Sequence, residues 1–284
     1  MVLLGLLMAA GCGKAADTAP PMASAAVDFG RPVAMVGGPV EMTYRFTVEP
    51  GAGALPPDDM VFVHFMDADG ELMWTDDHQP PTPTGQWKPG STISYTRTMF
   101  VPKIPYVGET RVALGLYAPK TGERVPLAGT AVGKRAYAMG TFSLQLQSDA
   151  LFVVFKDGWH PTEQAGDNLR EWQWSKQQAT LAFRNPRADV VLYLQLDRAA
   201  GFEGPQAVTL RIGDAVVDQF ALQPNGSDLR KVRLRADQLG TADIVDVVVA
   251  VDKTFVPAAL PGGTSKDPRE LGVRVFRAFV EPAA

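Results

Sequence analysis

Apolar residues in this chain recur at every second position, and the runs in which they do so are cut short by Gly and Pro. Glu41-Met42-Thr43-Tyr44-Arg45-Phe46-Thr47-Val48 puts Met42, Tyr44, Phe46 and Val48 on one side of an extended backbone, because successive side chains of a strand point to opposite faces. Residues 60–66, Met-Val-Phe-Val-His-Phe-Met, are almost continuously apolar, as a central strand is when both its faces are covered. Asp67-Ala68-Asp69-Gly70 supplies a turn, and Glu71-Leu72-Met73-Trp74 returns as the hairpin partner. Residues 92–101, 110–117 and 136–146 read as further short strands. No segment longer than two turns has the helical period, and Ala236-Asp237-Gln238-Leu239 forms at most one helical turn. Gly and Pro supply 50 of the 284 residues, well above the usual ~12%, and that excess of turn formers excludes a helical bundle. The chain is expected to be all-β.

Beyond Gln147-Ser148-Asp149 the composition changes and a second set of strand-like runs follows. They cover residues 151–155, 179–184, 190–196, 207–212, 216–222, 231–234, 244–251 and 272–280. With 46% apolar residues the chain can fill two cores of ordinary size. The spacing predicts two tandem antiparallel β-sandwich domains, Ig-like or jelly-roll-like, over 28–147 and 148–284.

The only cysteine is Cys12, and it follows an apolar run and Ala9-Ala10-Gly11. One cysteine excludes an intrachain disulfide and a thiolate zinc site. Small residues directly before a cysteine resemble the lipobox of bacterial lipoproteins. That resemblance implies a signal peptide over 1–11, cleavage before Cys12, and acylation of Cys12 on its sulfur and its amine. No Lys or Arg precedes Cys12 and the apolar run is short, so a start codon further upstream is the expected reason. No other stretch reaches the ~18 apolar residues that cross a bilayer, so the membrane partner is met through the acyl chains alone. Residues 12–27, rich in Ala, Thr, Pro and Ser, read as a lipidated N-terminus and flexible tether. Gly13 stands where an inner-membrane retention signal carries Asp, which implies the outer membrane, with the domains facing the periplasm or the cell surface.

A second resemblance rests on Val61-Phe62-Val63-His64-Phe65, Asp67 to Gly70, Asp77, Pro80, Pro81, Thr84, Trp87-Lys88-Pro89-Gly90, Gly115-Leu116-Tyr117 and Thr121-Gly122. These residues resemble an extracytoplasmic β-sandwich module of bacterial envelope proteins, found also in membrane glycosyltransferases. In the second half, Gly158-Trp159-His160, Glu163, Arg170, Trp172 to Ser175, Phe255-Val256-Pro257 and Asp267 to Val273 resemble another sandwich associated with bacterial glycosyltransferases. Neither module carries a defined activity.

The formal charge of −4 lacks the basic footprint of a nucleic-acid binder, so no nucleic-acid partner is expected. Gly-x-Ser-x-Gly, phosphate-loop and His-Glu-x-x-His signatures are missing. His64 and His78 flank the 67–74 hairpin and could hold a divalent metal with a carboxylate, or could be packed histidines. Asp67-x-Asp69-Gly70 starts like a calcium loop but reads more simply as a turn. Trp74, Asp76, Asp77, His78 and Trp87 surround a proline-stiffened loop. Aromatic faces stack on sugar rings while carboxylates bind hydroxyls, so this is a candidate glycan surface; the alternative is that the tryptophans plug the end of a sandwich. Trp159, His160, Glu163, Trp172 and Trp174 form a second candidate surface, with Trp172 and Trp174 on one face. Glu163 and Glu171 could also be read as a hydrolase pair. The expected function is a non-catalytic envelope lipoprotein, without cofactor or metal, that recognises or organises surface polysaccharide. The alternatives are an assembly subunit docking an envelope protein and, behind it, a hydrolase.

Overall fold

The computed structural model describes residues 17–147, 152–166, 170–198, 203–224 and 226–283. The expected signal peptide and Cys12 lie outside the described residues. The chain is all-β, and between Gln145 and Leu146 it divides into two compact units. Among the described residues the only helical turns are of the 3-10 type, at Thr84–Gln86 and Pro257–Ala259, and no helix is long and apolar enough to cross a membrane.

In the first unit the strands are β1 (Ala23–Asp28), β2 (Val33–Met35), β3 (Pro39–Val48), β4 (Met60–Met66), β5 (Leu72–Thr75), β6 (Thr92–Phe100), β7 (Gly108–Tyr117), β8 (Leu127–Ala128), β9 (Ala131–Gly133) and β10 (Ala136–Gln145). They form one sheet in the order β6-β3-β1-β8 and a second in the order β2-β10-β7-β4-β5, with β9 on β10. The alternation of β3 does what its period dictates: Met42, Tyr44, Phe46 and Val48 are buried, and with Val61, Val63 and Phe65 of β4 they belong to one core shared by both sheets. Fully burying each such side chain stabilises the unit by about 1.5–3 kcal/mol.

Two expectations need correction here. The stretch read as tether ends early, because Ala23 to Val27 are strand, paired to β3 on one side and to β8 on the other. Alanines and a serine give no hydrophobic alternation, so the strand is written in main-chain hydrogen bonds rather than in side chains. The sheets are also not purely antiparallel, since β1 runs parallel to β8 and β2 parallel to β10. The first extended segment bends at Gly30, whose φ of 63° suits glycine, and moves from one sheet to the other without reversing.

The second unit contains β11 (Val154–Phe155), β12 (Glu163–Gln164), β13 (Glu171–Trp174), β14 (Gln178–Arg184), β15 (Val190–Arg198), β16 (Gln206–Ile212), β17 (Ala215–Leu222), β18 (Ser227–Leu234), β19 (Ile244–Val251) and β20 (Val273–Pro282). The sheet orders are β11-β14-β19-β16-β17 and β12-β13-β20-β15-β18. Leu181, Phe183, Val208, Leu210, Val247 and Val249 of the first meet Leu192, Leu194, Leu196, Val232 and Val275 of the second in one core. Inward residues of β15 thus alternate with Tyr193, Gln195 and Asp197, which the same register assigns to the opposite face of the sheet.

Just ahead of β4, Asp59 is 1% exposed. Its backbone N–H donates to Thr84 Oγ1 (3.1 Å), but its Oδ2 is buried without a hydrogen-bond partner among the described residues. Lost hydration, reinforced by Glu123 and Asp58, pushes this carboxyl up to about 6 from the ordinary 3.8. Between those two values the folded chain holds a proton that the unfolded chain has released, so stability falls as pH rises through this window. Asp59→Asn should remove that slope and raise stability at neutral pH by up to about 3 kcal/mol. Urea titrations of both proteins on either side of the window measure it, and parallel pH profiles would contradict the assignment.

Candidate functional site

The two aromatic regions singled out from the sequence have different fates. In the first unit Trp74 is 8% exposed and stacks flat on Phe65, with ring centroids 4.5 Å apart and planes 6° apart. Trp87 is equally inaccessible; its indole N–H donates to the Thr82 carbonyl (2.9 Å) and its ring leans on Phe46. His78 is buried between the sheets, where Nδ1–H donates to the Asp76 carbonyl (2.9 Å) and Nε2 accepts from the Tyr95 hydroxyl (2.8 Å). Burial shifts the His78 imidazole toward its neutral form, ahead of the opposing effect of its hydrogen bond to the Asp76 carbonyl. Tyr44 of β3 stacks on Tyr95 of β6 and meets His78 edge-on. Asp76 closes the group through a two-pronged pair with Arg97, at 2.7 and 2.9 Å.

Trp74, His78 and Trp87 therefore offer no open ring face to a sugar, and the glycan surface expected there is corrected to a core plug. The physical reason is that the 76–91 loop folds back over the open side of the sandwich. His78 and Val61 exchange two main-chain hydrogen bonds of 2.9 Å and seat the loop. With both imidazole nitrogens of His78 engaged, no lone pair is left for a metal. Asp77 remains exposed and bonds the Tyr117 hydroxyl.

In the second unit Trp159 is also a packing residue: its indole N–H donates to the Thr180 carbonyl (2.8 Å) and its ring meets Phe155 edge-on. His160 donates through Nε2 to the Glu270 carbonyl (2.7 Å). Glu163 is held twice, accepting from the Trp172 indole (3.1 Å) and pairing with Arg269 (2.7 Å). Arg269 in turn grips Asp267, and these hydrogen bonds hold the Asp267 carboxyl down to about 2. The 267–273 loop is thus locked by ion pairing, as its sequence suggests. The Glu171 carboxylate, read with Glu163 as a candidate pair, accepts from Gln164 (3.1 Å).

Trp172 and Trp174 keep a half-exposed position on β13. The guanidinium of Arg274, on β20, lies 5.2 Å from the Trp172 ring centre, 5.4 Å from Trp174 and 4.9 Å from Phe276. Asp197 of β15 fixes it there with hydrogen bonds of 3.0 and 2.6 Å. Beside this group a cleft of about 220 Å³ is lined by Arg170, Glu171, Gln195, Asp197, Ser227, Arg274, Phe276 and Arg277. Arg274, Phe276, Arg277, Gln195 and Asp197 escape sequence reasoning, because their meeting depends on the β15–β20 pairing of residues 77 apart at Asp197 and Arg274. The available signal is the polar alternation of β15, where Gln195 and Asp197 interrupt an otherwise apolar strand.

No family model and no curated protein matches the chain. Solved structures match the chain only distantly. The secreted serine protease VesC of Vibrio cholerae is 10% identical at a TM-score of 0.25, over 91% of this chain and 51% of its own. The Bacteroides ovatus protein SGBP-B, in complex with a mixed-linkage heptasaccharide, is 10% identical at 0.26, over 89% and 51%. The plant receptor-like kinase ANX1 is 8% identical at 0.30, over 90% and 83%. The chain spans about half or less of the first solved structures it matches. Scores this low say nothing about activity.

What positions the tryptophans is a knot at Ser175, which is completely buried. Its hydroxyl accepts from the Val273 N–H (3.0 Å), its carbonyl from the Gly272 N–H (2.6 Å), and Lys176 N–H reaches the Gly158 carbonyl (2.8 Å). A Cβ on Gly272 would sit 2.6 Å from the Lys176 carbonyl oxygen, and one on Gly158, already at φ 79°, would meet Ala179 Cα at 2.7 Å. Both contacts are with groups that cannot swing aside. Gly158→Ala and Gly272→Ala should each destabilise the protein by about 2–4 kcal/mol. Denaturant midpoints within error of the parent would refute the knot.

Proposed function

We propose that this chain is a non-catalytic, lipid-anchored protein of a bacterial envelope, and that the outer face of the β13-β20-β15 sheet in its second unit recognises carbohydrate. The observation that supports it is the immobilised Arg274 among Trp172, Trp174 and Phe276, beside a cleft with amide, hydroxyl and carboxylate groups. Rings held at a surface stack on the C–H faces of a sugar, and fixed polar groups beside them meet its hydroxyls. Pinning by Asp197 reduces the side-chain entropy lost on binding. On this reading each unit is a sandwich domain of Ig-like or jelly-roll-like type, the acyl chains on Cys12 hold the protein in the outer membrane, and the segment before β1 is the tether.

A glycan array followed by calorimetry on the full chain tests the binding. Trp172→Ala and Trp174→Ala should each weaken affinity about tenfold with a smaller loss of stability than Trp74→Ala, which should cost about 3–5 kcal/mol and spare affinity. Absence of binding to every polysaccharide would sink the reading. For the anchor, Cys12→Ser should move the protein from the membrane to the soluble fraction, and continued membrane attachment would refute lipidation.

A docking role for a partner protein is favoured by one observation. Val154 and Ile244 are 48% and 50% exposed, and the β14 register puts them on the same face of the other sheet. Recovery of a stoichiometric protein, with no polysaccharide, in a pull-down from membranes would favour this second reading.

A further inference from the structure

The geometry points to an acidic glycan as the ligand of this face: a uronate polysaccharide, one sugar of which places its carboxylate between Arg170 and Arg277. The inference rests on the carbohydrate reading of the same surface and deepens it.

Five charged side chains line the cleft, and three of them are already engaged. Asp197 and Arg274 neutralise one another through two hydrogen bonds, and the Glu171 carboxylate accepts from Gln164. Arg170 and Arg277 line the same cleft, and neither side chain has a hydrogen-bond or ion-pair partner among the described residues. Elsewhere in the unit several surface arginines are tied to a carboxylate, as Arg187 is to Asp243, Arg230 to Asp218, and Arg233 to Asp189. With three arginines against Glu171 and Asp197, the lining of this concave site carries a formal charge of +1 in a chain whose formal charge is −4.

The guanidinium is a planar fork of N–H donors that matches a carboxylate with two parallel hydrogen bonds. Strand register supplies the neighbours such a ligand needs. Gln195 stands opposite Arg277 and Ser227 opposite Asp197, so an amide and a hydroxyl flank the cationic centre. These groups satisfy sugar hydroxyls, and the Phe276 ring covers an apolar face. A volume of about 220 Å³ lies below the ~300–1,000 Å³ of a drug-sized ligand pocket. The cleft thus takes a single acidic sugar, while the rest of the polymer lies across the half-exposed Trp172 and Trp174.

The test is calorimetry of the full chain with polygalacturonate, with the same polymer after reduction of its carboxyls to alcohols, and with dextran sulfate. Expected are binding of polygalacturonate, at least about tenfold weaker binding of the reduced polymer, and a loss of about tenfold or more in Arg170→Gln and Arg277→Gln. Arg277→Lys should recover only part of the loss, because the charge remains and the fork does not. Neither arginine supports a fold contact, so unchanged thermal midpoints separate lost binding from lost folding. Equal affinity for native and reduced polymer, or affinity untouched by the arginine variants, would overturn the acidic-ligand inference and leave the carbohydrate reading standing. Binding of dextran sulfate alone would overturn it as well, in favour of a sulfate ligand. No binding to any of the three, with none on the glycan array, would remove both.

Discussion

Alternate burial along the strands is the constraint on which everything else in this molecule depends. Once Met42, Tyr44, Phe46 and Val48, or Leu192, Leu194 and Leu196, are committed to an interior, the pleat fixes where their neighbours go. On β15 those neighbours are Tyr193, Gln195 and Asp197, and they cannot enter the core without a shift of register that would expose every leucine. Tyr193 accordingly donates from its hydroxyl to Glu281 (2.7 Å), and Asp197 takes Arg274. The outer face is thus organised by the same register that builds the core.

That dependence explains why two clusters of similar composition behave differently. Both contain tryptophans, a histidine and carboxylates. The first lies on β5 and the loop after it, which returns across the sandwich, so its rings complete a core and polar groups find partners inside: His78 with Tyr95, Asp76 with Arg97. Burial of His78, Asp76 and Trp87 is economical there, because their polar groups have internal partners to replace water. In the second, β13 carries Trp172 and Trp174 within a sheet, where they stay half-exposed beside Arg274 and Phe276. Composition cannot distinguish these cases, since the difference is whether the backbone runs over the sheet or within it.

The sequence was legible where side-chain period and turn chemistry agreed. The expected strand at residues 60–66 is β4, that at 244–251 is β19, and that at 92–101 is β6 with one residue fewer. Strands without apolar alternation were not legible: β1 is Ala-Ser-Ala-Ala-Val-Asp, and β8 and β12 are two residues each. They exist because an adjacent edge offers unpaired N–H and C=O groups, a property of the neighbour rather than of the segment. Parallel pairing of β2 with β10 was hidden for the same reason. At the candidate site the tryptophans and Arg170 could be read, while the arginines of β20 could not. Arg274 and Arg277 are ordinary surface residues until the pairing of β20 with β13 and β15 sets them beside indoles and an aspartate.

The glycines and Ser175 show how a motif can be distinctive without being chemical. Gly158-Trp159-His160, Trp172 to Ser175 and Leu271-Gly272-Val273 come from three separate parts of the chain, yet they meet at a buried serine whose neighbours leave no room for a Cβ. His160 and Phe255 strengthen the same junction, through the Glu270 carbonyl and through two main-chain hydrogen bonds with Leu271. Read as a string, such residues suggest an active centre, because glycine, histidine, serine and tryptophan are the types that active centres use. In space they are a fastening, and their polar atoms are consumed by backbone partners. What remains free to meet a ligand is what the fastening holds out: two half-exposed indoles, a pinned arginine between them, and a cleft whose remaining guanidiniums have nothing else to bind.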